Sequence, residues 1–311
     1  MIKPKRWFTE PDTVEFIKKS PGIFRICNLR VDRILTMAYI LARGWTGDLS
    51  PYVQCRKMLP ENFNMVYGIS SHFGYSTLIL QRYADIRDII LSENIQYKDY
   101  PEMKASLTLP VVRFLGLENV KYIISVFDIE NENLQLRMRT KFHSMVGDIK
   151  VYENKMFMPR VFVVPEARYV YGRHDICNAL IREDFNPRKT VILEERVSHG
   201  SNSVKGSAVN IEDYSDKEVK VSVDLTGDGF LVLTDTNYPG WNVYVDGRKG
   251  RILQANYLFR AVALDKGRHN VIFKYEPLSF RKGLYISLFT LLLIIIFGVR
   301  SLILVAIPTT F

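Results

Sequence analysis

From Val191 onward, apolar positions in this chain recur every second residue. In KEVKVSVDLT, Val219, Val221, Val223 and Leu225 fall on one face, which predicts a half-buried strand. GFLVLTDT is almost wholly apolar, the pattern of a central strand covered on both faces. WNVYVDG ends in Asp246-Gly247, a hairpin-turn dipeptide, and YLFRAVALDKG and HNVIFKYEP complete the set. Regularly spaced strands with turn signals between them predict an all-β sandwich of Ig or jelly-roll type over residues 191–279. The pattern then changes abruptly. GLYISLFTLLLIIIFGV, from Gly283 to Val299, carries no charge, and as a helix it spans roughly 26 Å against a hydrocarbon thickness of about 30 Å. Arg281 and Lys282 precede it and Arg300 follows, before SLILVAI extends the apolar run. These three residues are the expected flanks of a transmembrane helix over 280–307, with Arg300 placed to snorkel. The bilayer is thus the first predicted partner.

Residues 1–190 mix both periods and predict an α+β domain. Residues 7–20 read as a short helix, with Thr9 as N-cap, Pro11 in the first turn and Val14, Phe16 and Ile17 on its apolar face. IFRICNLRV reads as a strand, and residues 33–43 as a surface helix or insertion. A loop from Asn62 becomes helical near Thr77. Pro110–Leu117 reads as a helix feeding a strand at Lys121–Ser125. The polar stretch 126–149 predicts a hairpin with a loop, followed by strands at 150–153 and 160–164 and a strand or turn at 168–171. A last helix over 174–183 stops at Asn186-Pro187. The whole is an α+β chain: a mixed domain, a sandwich, then a membrane helix.

Composition narrows the function classes. Hydrophobic residues make up 47% and charged residues 24%, as in ordinary globular proteins. The net charge of +9 favours an anionic polymer or membrane face. The basic residues are dispersed, however, with no run of five and no nucleic-acid motif, so nucleic acid is not an expected partner. Three widely spaced cysteines, Cys27, Cys55 and Cys177, give neither a CxxC motif nor a disulfide framework. MIKPKRWFTEPD has no apolar core of a signal peptide. The chain therefore reads either as a tail-anchored cytoplasmic protein or as a piece of a longer polytopic one.

Candidate chemistry is sparse. Asp224, Thr226, Asp228, Gly229 and Asp235 fall at positions of a calcium loop, but the flanks are strands and the third and last ligands are wrong. Ser70-Ser71-His72 approaches a nucleophile elbow without its final glycine. His72, His143, His174, His199 and His269 show no ligand spacing, so neither a metal nor a cofactor is expected. Gly227-Asp-Gly229 lacks the third glycine of a dinucleotide fingerprint. The most distinctive segment is TDTNYPGWNVYVDG. Its tight turn Tyr238-Pro239-Gly240-Trp241 reads either as a sandwich corner with Trp241 in the core, or as a sugar-stacking platform. In the second reading Asp235, Tyr238, Trp241 and Asp246 are the glycan-binding residues, the carboxylates accepting from sugar hydroxyls. No catalytic residue is assigned.

LVLTDTNYPGWNVYVDG, then LQANYLFRAVALDKGRHNVIFKYEPLSF, then a membrane helix closely resembles the C-terminal end of the YfhO-like bacterial membrane proteins. Upstream, FNMVYGISSHFGYSTLILQRY, LGLENVKYIIS and KVYENKMFMPRVFVV are similar to further ordered blocks of that family. RVDRILTMAYILARGWTGDLSP, within residues 29–60, departs from the pattern. The resemblance implies a polytopic protein of the GT-C glycosyltransferase type, moving sugar from a polyprenyl-phosphate carrier onto cell-envelope polymers or lipids. This chain resembles only the extracytoplasmic region and a closing helix, so the acidic catalytic loop is not carried over. The resemblance implies an acceptor-recognition or capping role outside the cell membrane, completed by a multi-helix membrane half or partner, with cell-envelope glycan as ligand. A stand-alone, membrane-anchored glycan-binding or scaffold protein is the alternative. Flanking charge is ambiguous and mildly favours a cytoplasmic domain, whereas the resemblance favours the outer face.

Overall fold

A computed structural model describes residues 9–74, 78–92, 94–99, 102–143, 147–197 and 204–306. The first layer is a five-stranded mixed sheet. Its spatial order is Ser70–Ser71, Arg25–Asn28, Val120–Ser125, Gly147–Asn154, Leu134–His143. The first three strands are parallel and the rest antiparallel. Helix Leu109–Leu117 delivers the chain into Val120–Ser125, as its sequence predicts; Val111, Val112, Phe114, Leu115 and Leu117 are buried. A three-stranded sheet, Ile95–Lys98, Lys104–Leu107 and Asp128–Ile129, flanks this layer.

Several local expectations shift. The first helix is shorter than predicted, Asp12–Lys18, and Pro11 rather than Thr9 takes the N-cap position. The departing segment folds as two helices, Val31–Leu41 and Ser50–Cys55. Thr77 lies outside the described residues; the helix beyond it begins at Gln81 and widens into a π-helical segment, Ile86–Ser92. The polar stretch before residue 150 forms most of a hairpin, as expected, with long strands Leu134–His143 and Gly147–Asn154; Ile149 and Val151 are buried on one face of the second strand and Tyr152 on the other.

The sandwich is present. Its inner sheet runs Glu166–Tyr169, Thr190–Leu193, Leu253–Ala255, Phe259–Leu264, Gly229–Thr236, Val161–Val164. Its outer sheet runs Ser207–Tyr214, Glu218–Leu225, Gly267–Tyr275, Trp241–Val245, Arg248–Lys249. Between them lies a layer of Val219, Val221, Val223, Leu225, Leu231, Leu233, Val243, Val271 and Phe273. The alternation read in KEVKVSVDLT is therefore its core face. Asp246 and Gly247 both have positive φ, 51° and 77°, as a two-residue hairpin turn requires.

The apolar strand Gly229–Thr236 shows why the sandwich does not stand apart. Leu231 and Leu233 face the sandwich core, while Phe230 and Val232 belong to the core shared with the first domain. The inner sheet is thus buried on both faces. It also takes strands from both sides of residue 190, so a division there marks a change of sequence texture within one continuous sheet.

The last strand leads through Glu276-Pro277 into helix Leu278–Ala306. Leu278–Gly298 is long and apolar enough to cross a membrane, and none of it is buried against the protein. At its root the turn before Trp241 is clamped: the Glu276 N–H donates to the Gly240 carbonyl at 2.7 Å. A Cβ on Gly240, whose φ is 108°, would lie 2.8 Å from the Tyr275 ring and 3.1 Å from Pro277, so only glycine fits.

Candidate functional site, a buried arginine knot at the root of the membrane helix

Asp235 sits near the end of the inner strand that leads to this turn. Strand register brings two arginines to it. Leu233 pairs with Val161 on one side and with Arg260 on the other, and the Thr234 N–H donates to the Arg160 carbonyl. A register shift between Leu233 and Thr236 breaks the regular ladder here, as a bulge does when it re-aims a side chain. Arg25 arrives from the first sheet. Its Nη2 donates to Asp235 Oδ1 at 2.9 Å, and its Nη1 to the carbonyls of Glu118 and Thr234, each at 2.9 Å. Arg160 Nη1 donates to the same Oδ1 at 3.3 Å, and Arg260 Nη2 lies 3.7 Å from Oδ2. The Tyr214 hydroxyl is 3.0 Å from both oxygens.

Three guanidinium groups therefore meet one carboxylate. The Arg160 and Arg260 side chains are 2% and 3% exposed and that of Asp235 is 14% exposed, so solvent screens the group poorly. Burial, followed by repulsion from Arg25, pushes Arg160 down to about 10; burial outweighs Asp235 and takes Arg260 down to about 10 as well. Both remain charged at neutral pH. Burial and the adjacent carboxylate push the Tyr214 hydroxyl up to about 12. Arg260 also lies 3.7 Å over the Trp241 ring, a cation–π contact. Behind Arg25, His72 Nδ1 meets Glu118 Oε2 at 2.7 Å, both side chains almost fully buried.

The four residues read as a glycan platform separate into three places. Asp235 is the centre of the knot. Trp241 is half-buried against Arg260 and Tyr275, with ring centroids 5.4 Å apart in the second pair. Tyr238 is 47% exposed on the turn that carries Gly240. Asp246 lies five residues beyond Trp241 along an extended strand, roughly 17 Å away. There it accepts from the Asn270 N–H and meets His269 Nδ1 at 2.8 Å. This pair separates two grooves, of about 530 and 580 Å³, both lined by Asp246 and His269. Arg281 and Lys282 are exposed in the first turns of the membrane helix; Arg300 lies on its backbone path, its side chain outside the described ones.

The weaker motifs resolve differently. Asp224 binds Arg268, Asp228 accepts from the Lys266 N–H, and Asp235 serves the arginines, so the supposed calcium ligands do not converge. Among the described residues no group of carboxylates, His and Cys could hold a metal. His72 pairs with Glu118 rather than with Ser71, whose hydroxyl reaches the Ile26 carbonyl at 3.5 Å. His143 and His199 offer no described side chain. Burial pushes Cys27 and Cys55 up to about 12 and Cys177 to about 11, leaving protonated thiols.

Residues 192–287 match the model of a family described as Bacterial membrane protein YfhO. Over that span the chain is similar to this family of membrane proteins. The match covers less than half of the chain. It includes Asp235, the turn before Trp241, Arg260 and the first turns of the membrane helix, but neither Arg25 nor Arg160. No curated protein and no solved structure matches the chain.

Asp235→Asn keeps the shape of the knot but leaves three cations without their counter-charge. It is expected to destabilise the protein by about 3 kcal/mol, the lower end for breaking a buried pair, whereas Asp224→Asn, at an exposed pair, costs under about 1 kcal/mol. Urea unfolding of both variants in nanodiscs checks this. A second expectation concerns pH. Burial lowers the His269 pKa, but the hydrogen bonds to Asp246 and to the Asp265 carbonyl, together with the charges of both aspartates, outweigh it and the net shift is upward from 6.5. The contacts lower that of Asp246 from 3.8. The histidine's contribution is thus complete below its unfolded value and fades as pH rises through the raised one. The carboxylate's is present above its unfolded value and fades as pH falls through the lowered one. An NMR titration should place His269 above 6.5, and Asp246→Asn should move it down.

Proposed function

We propose that this YfhO-like chain supplies the extracytoplasmic acceptor-recognition and capping domain of a polyprenyl-phosphate-sugar-dependent glycosyltransferase acting on cell-envelope glycans. The observation that carries this reading is the clamp of the Glu276 N–H on the Gly240 carbonyl, next to Pro277. It seats the sandwich directly on the membrane helix, beside the place where a membrane-embedded partner half would work. The outer sheet then presents a face rich in hydrogen-bonding groups. Its register sets Asn210 beside Ser222 and Ser222 beside Asn270, with Asp224 and Arg268 in the next rung. These residues line one of the two grooves at Asp246, which falls within the size range of small-ligand sites.

In this reading the candidate residues divide their work. Asp246 accepts from sugar hydroxyls at the grooves. Tyr238 sits at headgroup level, where amphipathic rings favour the interface. Asp235 and Trp241 support the turn from within, through Arg260. A multi-helix membrane half or partner contributes the chemistry, and this domain contributes the acceptor.

Two measurements on the full chain test the proposal. Lys249→Cys adds an exposed thiol to a protein whose own three cysteines are buried. An impermeant maleimide should label it in intact cells; labelling only after permeabilisation contradicts the outward orientation. Cell-envelope glycan fragments should bind the nanodisc-held protein saturably, at least tenfold more weakly after Asp246→Ala. Absence of saturable binding removes acceptor recognition from the account.

A further inference from the structure

A cavity of about 350 Å³ lies in the first domain, built from residues outside both the knot and the sandwich grooves. Its position follows from topology. Strand Arg25–Asn28 has parallel neighbours on both sides, Ser70–Ser71 and Val120–Ser125. The chain leaves the first strand toward the Ser70 side and later crosses to the other. Open α/β sheets hold ligands at the carboxyl ends of strands where connections part in this way. Here the exits of two parallel strands line the cavity: Asn28, Leu29 and Arg30 after one, Phe73 after the other.

The lining has a definite chemistry. Leu91, Ile95 and Leu115 make apolar walls, and Arg30 and Arg87 bring two guanidinium groups. Arg30 lies 4.9 Å over the Tyr97 ring, which keeps it at the wall. Arg87 donates through Nε to Asp88 at 2.9 Å. Asn28 donates its amide to the carbonyls of Met58 and Leu59, which fixes its orientation. Its Oδ1 is buried with no hydrogen-bond partner, and a buried acceptor left so is costly. Cys27, also in the wall, is a protonated thiol and offers no nucleophile.

We infer that this crevice binds a small organic anion, a phosphate or carboxylate on a compact apolar body, held by Arg30 and Arg87. Two arginines suit the oxyanion, because the guanidinium fork matches phosphate and carboxylate geometry. The apolar walls suit the body. This inference does not rest on the glycosyltransferase reading, since the crevice shares no residue with the acceptor grooves.

The test is calorimetric titration of the full chain in nanodiscs with phenyl phosphate, using inorganic phosphate and phenol as partial probes. Phenyl phosphate should bind saturably, and each partial probe at least tenfold more weakly. Arg87→Gln alters a partly exposed side chain and should weaken phenyl phosphate at least tenfold without moving the melting temperature of the unliganded protein. Arg30 has a φ of 56°, so Arg30→Asn is the substitution that keeps its left-handed backbone, and it should act in the same way. No saturable heat, or an affinity that Arg87→Gln leaves unchanged, overturns the inference. Equal affinity for inorganic phosphate overturns the role given to the apolar walls.

Discussion

Three guanidinium groups gathered on the single carboxylate of Asp235 are the constraint on which the rest of this structure depends. One arginine comes from the first sheet, one precedes an edge strand of the inner sheet, and one lies within that sheet. The knot therefore ties the α+β domain to the sandwich at the point where the chain turns toward the membrane. Buried charge of this kind adds little net stability compared with apolar packing, but it tolerates few alternative geometries. Its consequence is positional. Arg260 supports Trp241, Trp241 packs on Tyr275, and the turn between Tyr238 and Trp241 is clamped by the Glu276 N–H, next to Pro277, at the root of the membrane helix.

Much of the fold was legible because burial here follows simple periods. The alternation at Val219, Val221, Val223 and Leu225 announced a one-sided strand, and the unbroken apolar run Gly229–Leu233 announced a two-sided one. What the pattern could not say was what covered the second face. Phe230 and Val232 pack on the first domain, a contact between segments far apart in sequence. Local signals failed where tertiary packing decided the outcome. Pro11 displaced Thr9 from the helix N-cap.

The candidate site was less legible, for a physical reason. Arginine in a strand reads as a solvated residue, because burying a guanidinium without a partner is so unfavourable. Only the sheet register shows that Arg160 and Arg260 flank the strand carrying Asp235. Both lie inside blocks that carry the YfhO resemblance, MPRVFVV and NYLFRAV, so the signal was there without a role attached. Conversely, Asp235, Tyr238, Trp241 and Asp246 drew attention as neighbours in sequence, and an extended strand of about 3.3 Å per residue pulls Asp246 away from the others.

Native-state hydrogen exchange on the full chain in nanodiscs tests most directly whether the knot and the shared inner sheet make one cooperative body. The amides of Ile123 and Ile124 in the first sheet, Leu231 and Val232 in the inner sheet, and Val221 in the outer sheet should open with the same free energy. Asp235→Asn should lower all of them together. If the sandwich amides instead keep their protection while those of the first sheet exchange independently, the knot is a local contact, and the account of a single tied body resting on the membrane helix is wrong.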